Sequence, residues 1–288
     1  MRNIIKLTLV VLAFVGLTQL SPLREDSSSL AGTKKVTCND FMEFVVAKQG
    51  VGYATENQAL LKMLYDEFLA GIEPQATPVL FVVGGSSGAG KTTYRKYLDV
   101  TGQHVHDPDL VMSKLLEYKR DEKVLGKKTA FDKWAPFTRC IAQLLVRFAI
   151  QSKFHVIYDR ASGREGSYGD LQLAKQQGYK INLIGLYVKL DVARQRILIR
   201  ESQGGHGIPD KILIENRARF SAIWPYYLKF VDEATLYDTT SGDLKLICSF
   251  KQGQELNVVD AALYQKFLQC GDAFAGYFAK TLNAKVAG

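Results

Sequence analysis

The sequence predicts an α/β fold in which a mainly parallel β-sheet is flanked by helices. Short apolar runs alternate with segments that carry apolar residues at helical spacing, a pattern typical of parallel strands joined through helices. One of these runs leads into a glycine-rich loop of the kind that connects a strand to a helix. The 288 residues are 47% hydrophobic and 23% charged, which is ordinary for a globular chain and excludes a disordered or collagen-like one.

The individual strands and helices are predicted from the spacing of their apolar residues and from the glycines and prolines that begin or end them. The first strand is an apolar run that ends at glycine, as buried parallel strands often do. Pro136 is tolerated only near a helix start, Gly178 stops a helix, and Pro209 begins one. The predicted strands are 78–83, 103–106, 154–158, 181–188, 234–238 and 244–250. The predicted helices are 57–69, 91–98, 132–150, 170–177, 192–201, 209–222 and two more at the carboxyl end.

The first twenty residues have the layout of a secretory signal peptide. Arg2 and Lys6 precede an apolar run over 7–17, which Ser21 and Pro22 end. Because a membrane-spanning helix needs about 20 apolar residues, we expect export without a stable membrane span. An apolar amino-terminal helix is the alternative. The predicted organisation is a signal peptide over 1–20, a linker over 21–40 and one domain over 41–288 with its core at 78–250.

Charge and cysteine content narrow the classes of ligand. Thirty-seven Lys and Arg against 29 Asp and Glu give a net charge of +8, which suits an anionic ligand. The basic residues are scattered rather than clustered, so we do not expect nucleic-acid binding. The four cysteines are far apart and form no CxxC pair, so we do not expect a zinc site.

The strongest motif is the segment 85–92, GSSGAGKT, which matches the phosphate-binding pattern G-x-x-x-x-G-K-[ST] in full. Its glycines let backbone N–H groups point at phosphate oxygens, Lys91 is predicted to reach the β- and γ-phosphates, and the Thr92 hydroxyl to bind Mg²⁺. A ligand-free turn is the alternative, but such a turn does not need Lys-Thr. The predicted nucleotide contacts are Gly85, Ser86, Ser87, Gly88, Ala89, Gly90, Lys91, Thr92 and Thr93.

Two acids follow predicted strands, at the sheet edge where ligands of open parallel sheets bind. Asp109 is a candidate base for an acceptor hydroxyl, with a helix N-cap as the alternative role. Asp159 is a candidate for the Mg²⁺ shell or for acceptor binding. The polar loop after it, which contains Arg160 and Arg164, is predicted to bind the acceptor.

An arginine-rich segment over 191–219 is predicted to form a helical lid. Arg196 and Arg200 are four residues apart and share a helix face, and Arg217 lies on the next helix. Arginine in a dry site stabilises charge on a transferring phosphoryl group. A solvated basic face that pairs with neighbouring acids is the alternative.

Together these segments resemble the zeta-toxin family of ATP-dependent small-molecule kinases. The matching segments are GSSGAGKTT (85–93), HDPD (106–109), VIYDR (156–160), R-x-x-x-R-E-S-Q-G-G-H-G-I-P (196–209) and LYDTT (236–240). The resemblance implies a P-loop kinase fold and transfer of the ATP γ-phosphate to a hydroxyl. In the toxin members the acceptor is a UDP-N-acetyl amino sugar.

By position, the resemblance makes Lys91 the phosphate ligand, Asp109 the base, and Arg200 and Arg217 the residues that stabilise charge. Asp159 stands where many members carry Glu, and LYDTT lacks the usual Asn, so the acceptor stays open. The alternatives are a nucleotide or antibiotic kinase on the same fold and an exported nucleotide-binding effector without turnover. The residues do not identify an antitoxin partner.

Overall fold

The structure, a computed structural model, describes residues 63–64, 66–160, 163, 165–203, 205 and 207–286. The predicted signal peptide, the linker, the start of helix 57–69 and Arg164 lie outside the described residues. The chain divides into two compact units. The described part of the first comprises residues up to 73 together with 106–152, and that of the second comprises 74–105 and 153–286. No helix within the described ranges is long and apolar enough to cross a membrane.

The described chain contains seven strands and nine labelled helices. The strands are β1 (Val79–Gly85), β2 (His104–His106), β3 (Val156–Asp159), β4 (Lys180–Tyr187), β5 (Glu233–Asp238), β6 (Lys245–Lys251) and β7 (Asn257–Val258). The helices are α1 (Lys91–Arg95), α2 (Pro108–Lys114), α3 (Leu116–Leu125), α4 (Lys127–Gln151), α5 (Glu165–Gln176), α6 (Leu190–Ser202), α7 (Asp210–Tyr227), α8 (Ala261–Gln269) and α9 (Asp272–Val286).

The first unit is helical, and α4 packs against both α2 and α3. Its amphipathic sequence places one face in the core, where Ile141, Leu145 and Val146 are buried. The Asp121 carboxylate on α3 accepts hydrogen bonds of 2.7 Å from Lys133 Nζ and Trp134 Nε1 on α4. These two hydrogen bonds to one carboxylate join α3 to α4.

The second unit contains the seven-stranded sheet, whose order is β2-β3-β1-β4-β5-β6-β7. β1 pairs in parallel with β3 and β4, and β4 pairs in parallel with β5. β6 and β7 continue the sheet antiparallel. The α/β fold with a mainly parallel sheet is therefore confirmed.

The register of the parallel strands brings several site residues to one edge of the sheet. Val83 lies opposite Asp159, and Gly85 lies opposite Leu186. Tyr187 lies opposite Asp238 on the next pair. The loop after β1 and the ends of β3, β4 and β5 consequently meet at the carboxyl edge, where ligands of open parallel sheets bind.

Several predicted boundaries are wrong, and each error has a physical cause. α4 starts at Lys127 rather than 132, so Pro136 lies in its interior, and α7 continues through Pro225 to Tyr227. In both helices the burial of neighbouring apolar side chains outweighs the hydrogen bond that proline removes. α5 starts at Glu165 rather than 170. α3 and β7 were not predicted, because α3 has only one buried side chain, Tyr118, and β7 is two residues long.

Candidate active site

The phosphate loop, residues 85–92, connects β1 to α1 and has a backbone that requires glycine. Gly85 and Gly88 have φ angles of +146° and +78°. A Cβ atom on Gly85 would lie 2.6 Å from the Leu186 carbonyl oxygen, and one on Gly88 would lie 2.8 Å from the Ala193 carbonyl oxygen. The loop therefore curls closely against β4 and α6, and at these two positions only glycine fits.

The Lys91 ammonium closes this loop. Its Nζ donates hydrogen bonds to the carbonyl oxygens of Gly85 (3.0 Å) and Ser86 (3.1 Å). Burial lowers the pKa of the Lys91 side chain, the Asp159 carboxylate opposes that shift, and Arg200 adds to it. The Lys91 ammonium in the loop is therefore influenced by the negative charge of Asp159 and the positive charge of Arg200.

Asp159 ends β3 beside the strand that enters the phosphate loop. Its Oδ2 accepts a hydrogen bond of 3.4 Å from Arg95 Nη1 on α1, and only 11% of its side chain is exposed. The next backbone N–H, that of Arg160, donates to the Val83 carbonyl at 3.2 Å. Asp159 is therefore held at the loop by the sheet on one side and by α1 on the other.

The residues present fit a magnesium ion bound together with phosphate. Thr92 and Thr93 are exposed in the first turn of α1, and the Arg95–Asp159 bond joins that helix to the end of β3. Hydroxyl and carboxylate oxygens are the donors that Mg²⁺ prefers, and Mg²⁺ commonly takes only one or two protein ligands beside phosphate and water. Among the described residues no group of three or more His, Cys, Asp or Glu side chains forms a metal cluster.

Arg160, predicted to bind the acceptor, begins a hydrogen-bond chain that runs into the core. Its Nη1 donates to Tyr158 Oη at 2.9 Å, and that hydroxyl donates to Asp170 Oδ2 at 2.7 Å. Burial raises the pKa of the Tyr158 phenol, so this group remains a proton donor. Arg160 is therefore anchored by buried groups on β3 and α5.

Asp109 belongs to the first unit, whereas the phosphate loop belongs to the second. It is exposed and is the second residue of α2. The N-cap of α2 is Asp107, whose Oδ1 accepts hydrogen bonds from the N–H groups of Asp109 (3.0 Å) and Leu110 (3.2 Å). The alternative assignment of Asp109 as the helix cap is therefore wrong.

The two predicted lid arginines have different surroundings. Arg200 is exposed on α6, and its carbonyl oxygen accepts a hydrogen bond of 2.8 Å from the N–H of Gly205. Arg217 on α7 donates to the Val188 carbonyl and to Cys270 Sγ, and its guanidinium lies 4.7 Å from the Tyr187 ring centroid. A small cavity is lined by Arg217 and by Ser86 of the phosphate loop.

Two residues that the sequence analysis did not assign to the site contact the loop directly. Arg196 Nη1 donates to the Gly88 carbonyl at 3.1 Å, and Thr239 Oγ1 lies 3.0 Å from the Ala89 carbonyl oxygen. The spacing of Arg196 and Arg200 indicates a shared helix face, but it does not show which of them reaches the loop. Thr239 directly follows β5, and this position at the carboxyl edge of the sheet is the sequence feature from which its contact with the loop could have been predicted.

Comparison with known protein families agrees with this geometry. The family model described as Zeta toxin matches residues 65–238, which is more than half of the chain. The chain belongs to the zeta-toxin family. The match spans the phosphate loop, both acids and the arginine-rich helices. No curated protein sequence matches this zeta-toxin family member.

Solved structures share its fold at low sequence identity. The AvrRxo1-ORF1:AvrRxo1-ORF2 complex with sulphate ions has a TM-score of 0.60 at 18% identity, covering 85% of this chain and 80% of that one. The same complex with ATP has a TM-score of 0.58 at 19% identity, covering 85% and 79%. A structure of the PezAT toxin–antitoxin system of Streptococcus pneumoniae has a TM-score of 0.54 at 19% identity, covering 80% and 98%. The zeta-toxin family member therefore has a P-loop kinase-like fold.

Proposed function

We propose that this protein is an ATP- and Mg²⁺-dependent kinase that transfers the γ-phosphate to a hydroxyl of a small acceptor. The observation that carries the proposal is the Lys91 ammonium, held in the phosphate loop by the carbonyl oxygens of Gly85 and Ser86 and influenced electrostatically by Asp159. A loop that only turned the chain would not need a desolvated cation at that position. An ATP-bound structure of the AvrRxo1-ORF1:-ORF2 complex, which has a similar fold, supports the choice of nucleotide.

The proposal gives each predicted site residue a role. Lys91 and the loop N–H groups bind the β- and γ-phosphates, and Arg200 and Arg217 counter the charge that spreads over the transferred phosphoryl group. Thr92 and Asp159 would hold Mg²⁺, which neutralises phosphate charge when bound. Asp109 accepts the proton of the acceptor hydroxyl as its oxygen bonds to the γ-phosphorus and the bond to ADP breaks.

The acceptor class that we propose to test first is a UDP-N-acetyl amino sugar, because the family resemblance implies it. Arg160 supports an anionic acceptor, since it follows Asp159 at the end of β3 and its guanidinium is anchored by Tyr158. Nucleosides, nucleotides and aminoglycosides form the comparison panel, because a nucleotide or antibiotic kinase on this fold would use them instead.

The experiment measures ADP release and searches by mass spectrometry for a product heavier by one phosphate. Wild-type protein is incubated with MgATP and each acceptor, and also with cell extract. Lys91→Ala should abolish turnover with its circular dichroism spectrum unchanged. Lys96→Ala, which removes an exposed lysine just after α1, should leave turnover unchanged.

The outcomes separate the proposal from a nucleotide-binding effector without turnover. A kinase gives a phosphorylated product that depends on Lys91. A protein that binds ATP but yields no product with any acceptor or extract is an effector rather than a kinase. Full turnover in Lys91→Ala would overturn the site assignment.

We also propose that the protein is exported, on the basis of the basic and apolar pattern of its first twenty residues. The test compares full-length chain with a chain that starts at residue 21, in a secreting host. Export and a shortened mature amino terminus are expected only for the full-length chain. Retention of both forms in the cytosol would contradict export.

A further inference from the structure

The phosphate loop is held from the outside at two successive carbonyl groups. Arg196 Nη1 donates to the Gly88 carbonyl oxygen at 3.1 Å, and Thr239 Oγ1 lies 3.0 Å from the Ala89 carbonyl oxygen. Arg196 is half-buried on α6, and Thr239 is buried with 5% of its surface exposed. Hydrogen bonds in such surroundings are shielded from competing water.

The same two residues are also bonded to each other. Arg196 Nη2 donates to the Thr239 carbonyl oxygen at 2.6 Å, so the guanidinium spans two carbonyl groups on different segments. A planar guanidinium has donors in a fixed fork that suits this arrangement, whereas a lysine ammonium is a single point of charge. α6, the end of β5 and the loop are therefore joined through one side chain.

The Thr239 hydroxyl has two carbonyl oxygens within hydrogen-bond distance, and that of Ala89 is the nearer. Its Oγ1 lies 3.1 Å from the Tyr187 carbonyl oxygen as well. That oxygen already accepts the Thr239 backbone N–H at 2.9 Å, which extends the pairing of β4 and β5 by one residue. A hydroxyl donates only one hydrogen. Because the Tyr187 carbonyl already has a backbone donor, we assign the hydroxyl hydrogen to the Ala89 carbonyl.

Because the peptide unit is planar, the bonds to the Gly88 and Ala89 carbonyls also set the directions of the N–H groups that follow them. In a trans peptide unit the C=O and the following N–H point in opposite directions. Holding the Gly88 carbonyl toward Arg196 turns the Ala89 N–H away from α6, and this N–H donates across the loop to the Ser86 carbonyl at 3.2 Å. Holding the Ala89 carbonyl toward Thr239 likewise turns the Gly90 N–H away from β5.

The steric contacts at Gly88 act in the same direction. A Cβ atom at Gly88 would meet the carbonyl oxygen of Ala193, which lies three residues before Arg196 and on the same face of α6. α6 therefore touches the loop at Gly88 and bonds to it one turn further on.

We infer that Arg196 and Thr239 are positioning residues that preorganise the phosphate loop for a nucleoside di- or triphosphate. The inference rests on the proposed function, because it needs the loop to bind phosphate. Neither residue is assigned to the transferred phosphoryl group. Each acts through the backbone of residues 88–90. The bond to Gly88 fixes the Ala89 N–H across the loop to Ser86, and the bond to Ala89 fixes the direction of the Gly90 N–H, so that these peptide groups need not reorient at an entropic cost on binding.

The test uses paired substitutions in the full-length protein. Thr239→Val removes the hydroxyl at constant shape, and Thr239→Ser keeps it. Arg196→Lys keeps the charge but loses the fork. Arg194→Gln is the matched control, since Arg194 is exposed on the same helix and pairs with Asp210 rather than with the loop.

Two readouts separate positioning from general stability. Calorimetry with ADP should show a dissociation constant raised about fivefold in Thr239→Val, the usual value of one hydrogen bond, and near wild type in Thr239→Ser. Arg196→Lys should weaken ADP binding at least as much, and Arg194→Gln should not. Hydrogen exchange of a peptide covering residues 86–91 should accelerate in Thr239→Val and Arg196→Lys, without nucleotide, and stay unchanged in Thr239→Ser.

The possible failures are distinguishable. If wild-type protein binds no adenine nucleotide, the proposed function fails and this inference falls with it. If wild type binds and Thr239→Val binds equally well, only the positioning role is overturned. If Arg196→Lys binds like wild type, Arg196 acts by charge alone, and a drop in melting temperature without any change in ADP affinity or loop exchange would make both residues merely structural.

Discussion

Arg95 on α1 donates a hydrogen bond of 3.4 Å to the carboxylate of Asp159 at the end of β3. This pair ties the helix that follows the phosphate loop to the strand next to it, and it fixes an acid close enough to influence Lys91. Asp159 is predicted to bind Mg²⁺ or the acceptor, so either ligand must share the Asp159 carboxylate with Arg95 or displace Arg95 from it. The electrostatic balance among these groups gives the first prediction.

Asp159→Asn should lower the pH at which nucleotide affinity is lost. Lys91 binds phosphate when protonated, so affinity is complete below its pKa and falls as the pH rises through it. Burial lowers that pKa and Asp159 raises it, so removing the carboxylate moves the loss to lower pH. ADP affinity is measured by calorimetry from neutral to alkaline pH with EDTA present, which removes any contribution of Mg²⁺. Asp99→Asn, at an exposed position after α1, is the control, and an identical pH dependence in both variants would contradict the prediction.

Asp109→Asn should impair transfer while nucleotide still binds. A general base typically contributes about 10²-fold or more to the rate, and the amide cannot accept the proton. Stability should change little, because Asp107 rather than Asp109 caps α2. Asp107→Ala is the complementary control and should cost about 1 kcal/mol of stability with only a minor effect on ADP affinity. Transfer rates at saturating MgATP provide the measurement, and unchanged transfer in Asp109→Asn would exclude Asp109 as the base.

The strand, loop and helix around Lys91 are predictable because their signals are local. An apolar run, three glycines with required backbone freedom and the Lys-Thr pair all lie within fifteen residues. The carboxyl-edge position of Asp159 also follows from the parallel topology. These features need no knowledge of which distant segments pack together.

The contacts of Arg196, Thr239 and Arg217 depend instead on long-range packing. Arg196 and Thr239 lie 43 residues apart in sequence, and Arg217 lies 53 residues from Cys270. Helical spacing places Arg196 and Arg200 on one face, yet the depth at which α6 packs decides that Arg196 contacts the loop while Arg200 is exposed. Helix limits near Pro136 and Pro225 fail for a related reason, since tertiary burial overrides a local preference.

Gly88→Ala should abolish tight nucleotide binding without unfolding the chain. Its φ of +78° costs a residue with a side chain about 1–2 kcal/mol, and the new Cβ would press on the Ala193 carbonyl at 2.8 Å. The loop must shift, so we expect ADP affinity to fall at least about tenfold. Gly169→Ala, inside α5 with open space around it, should bind ADP normally and gain slightly in stability. Equal ADP affinity in the two variants would show that the loop tolerates a side chain at Gly88.

Asp121→Asn should weaken the first unit at neutral pH but not in acid. Hydrogen bonds from Lys133 and then Trp134 lower the pKa of the Asp121 carboxyl. Its folded pKa is therefore below the unfolded one, so the stabilisation is present above the unfolded pKa and is lost as the pH falls through the folded pKa. At pH 7 we expect a loss of about 1 kcal/mol, and this difference should shrink as the pH falls through the folded pKa. Melting temperatures across this pH range are compared with those of Asp132→Asn, an exposed acid in the second turn of α4, which should differ little from wild type throughout. A deficit in Asp121→Asn that did not shrink at all as the pH was lowered would mean that packing, and not the charged hydrogen bonds, holds α3 against α4.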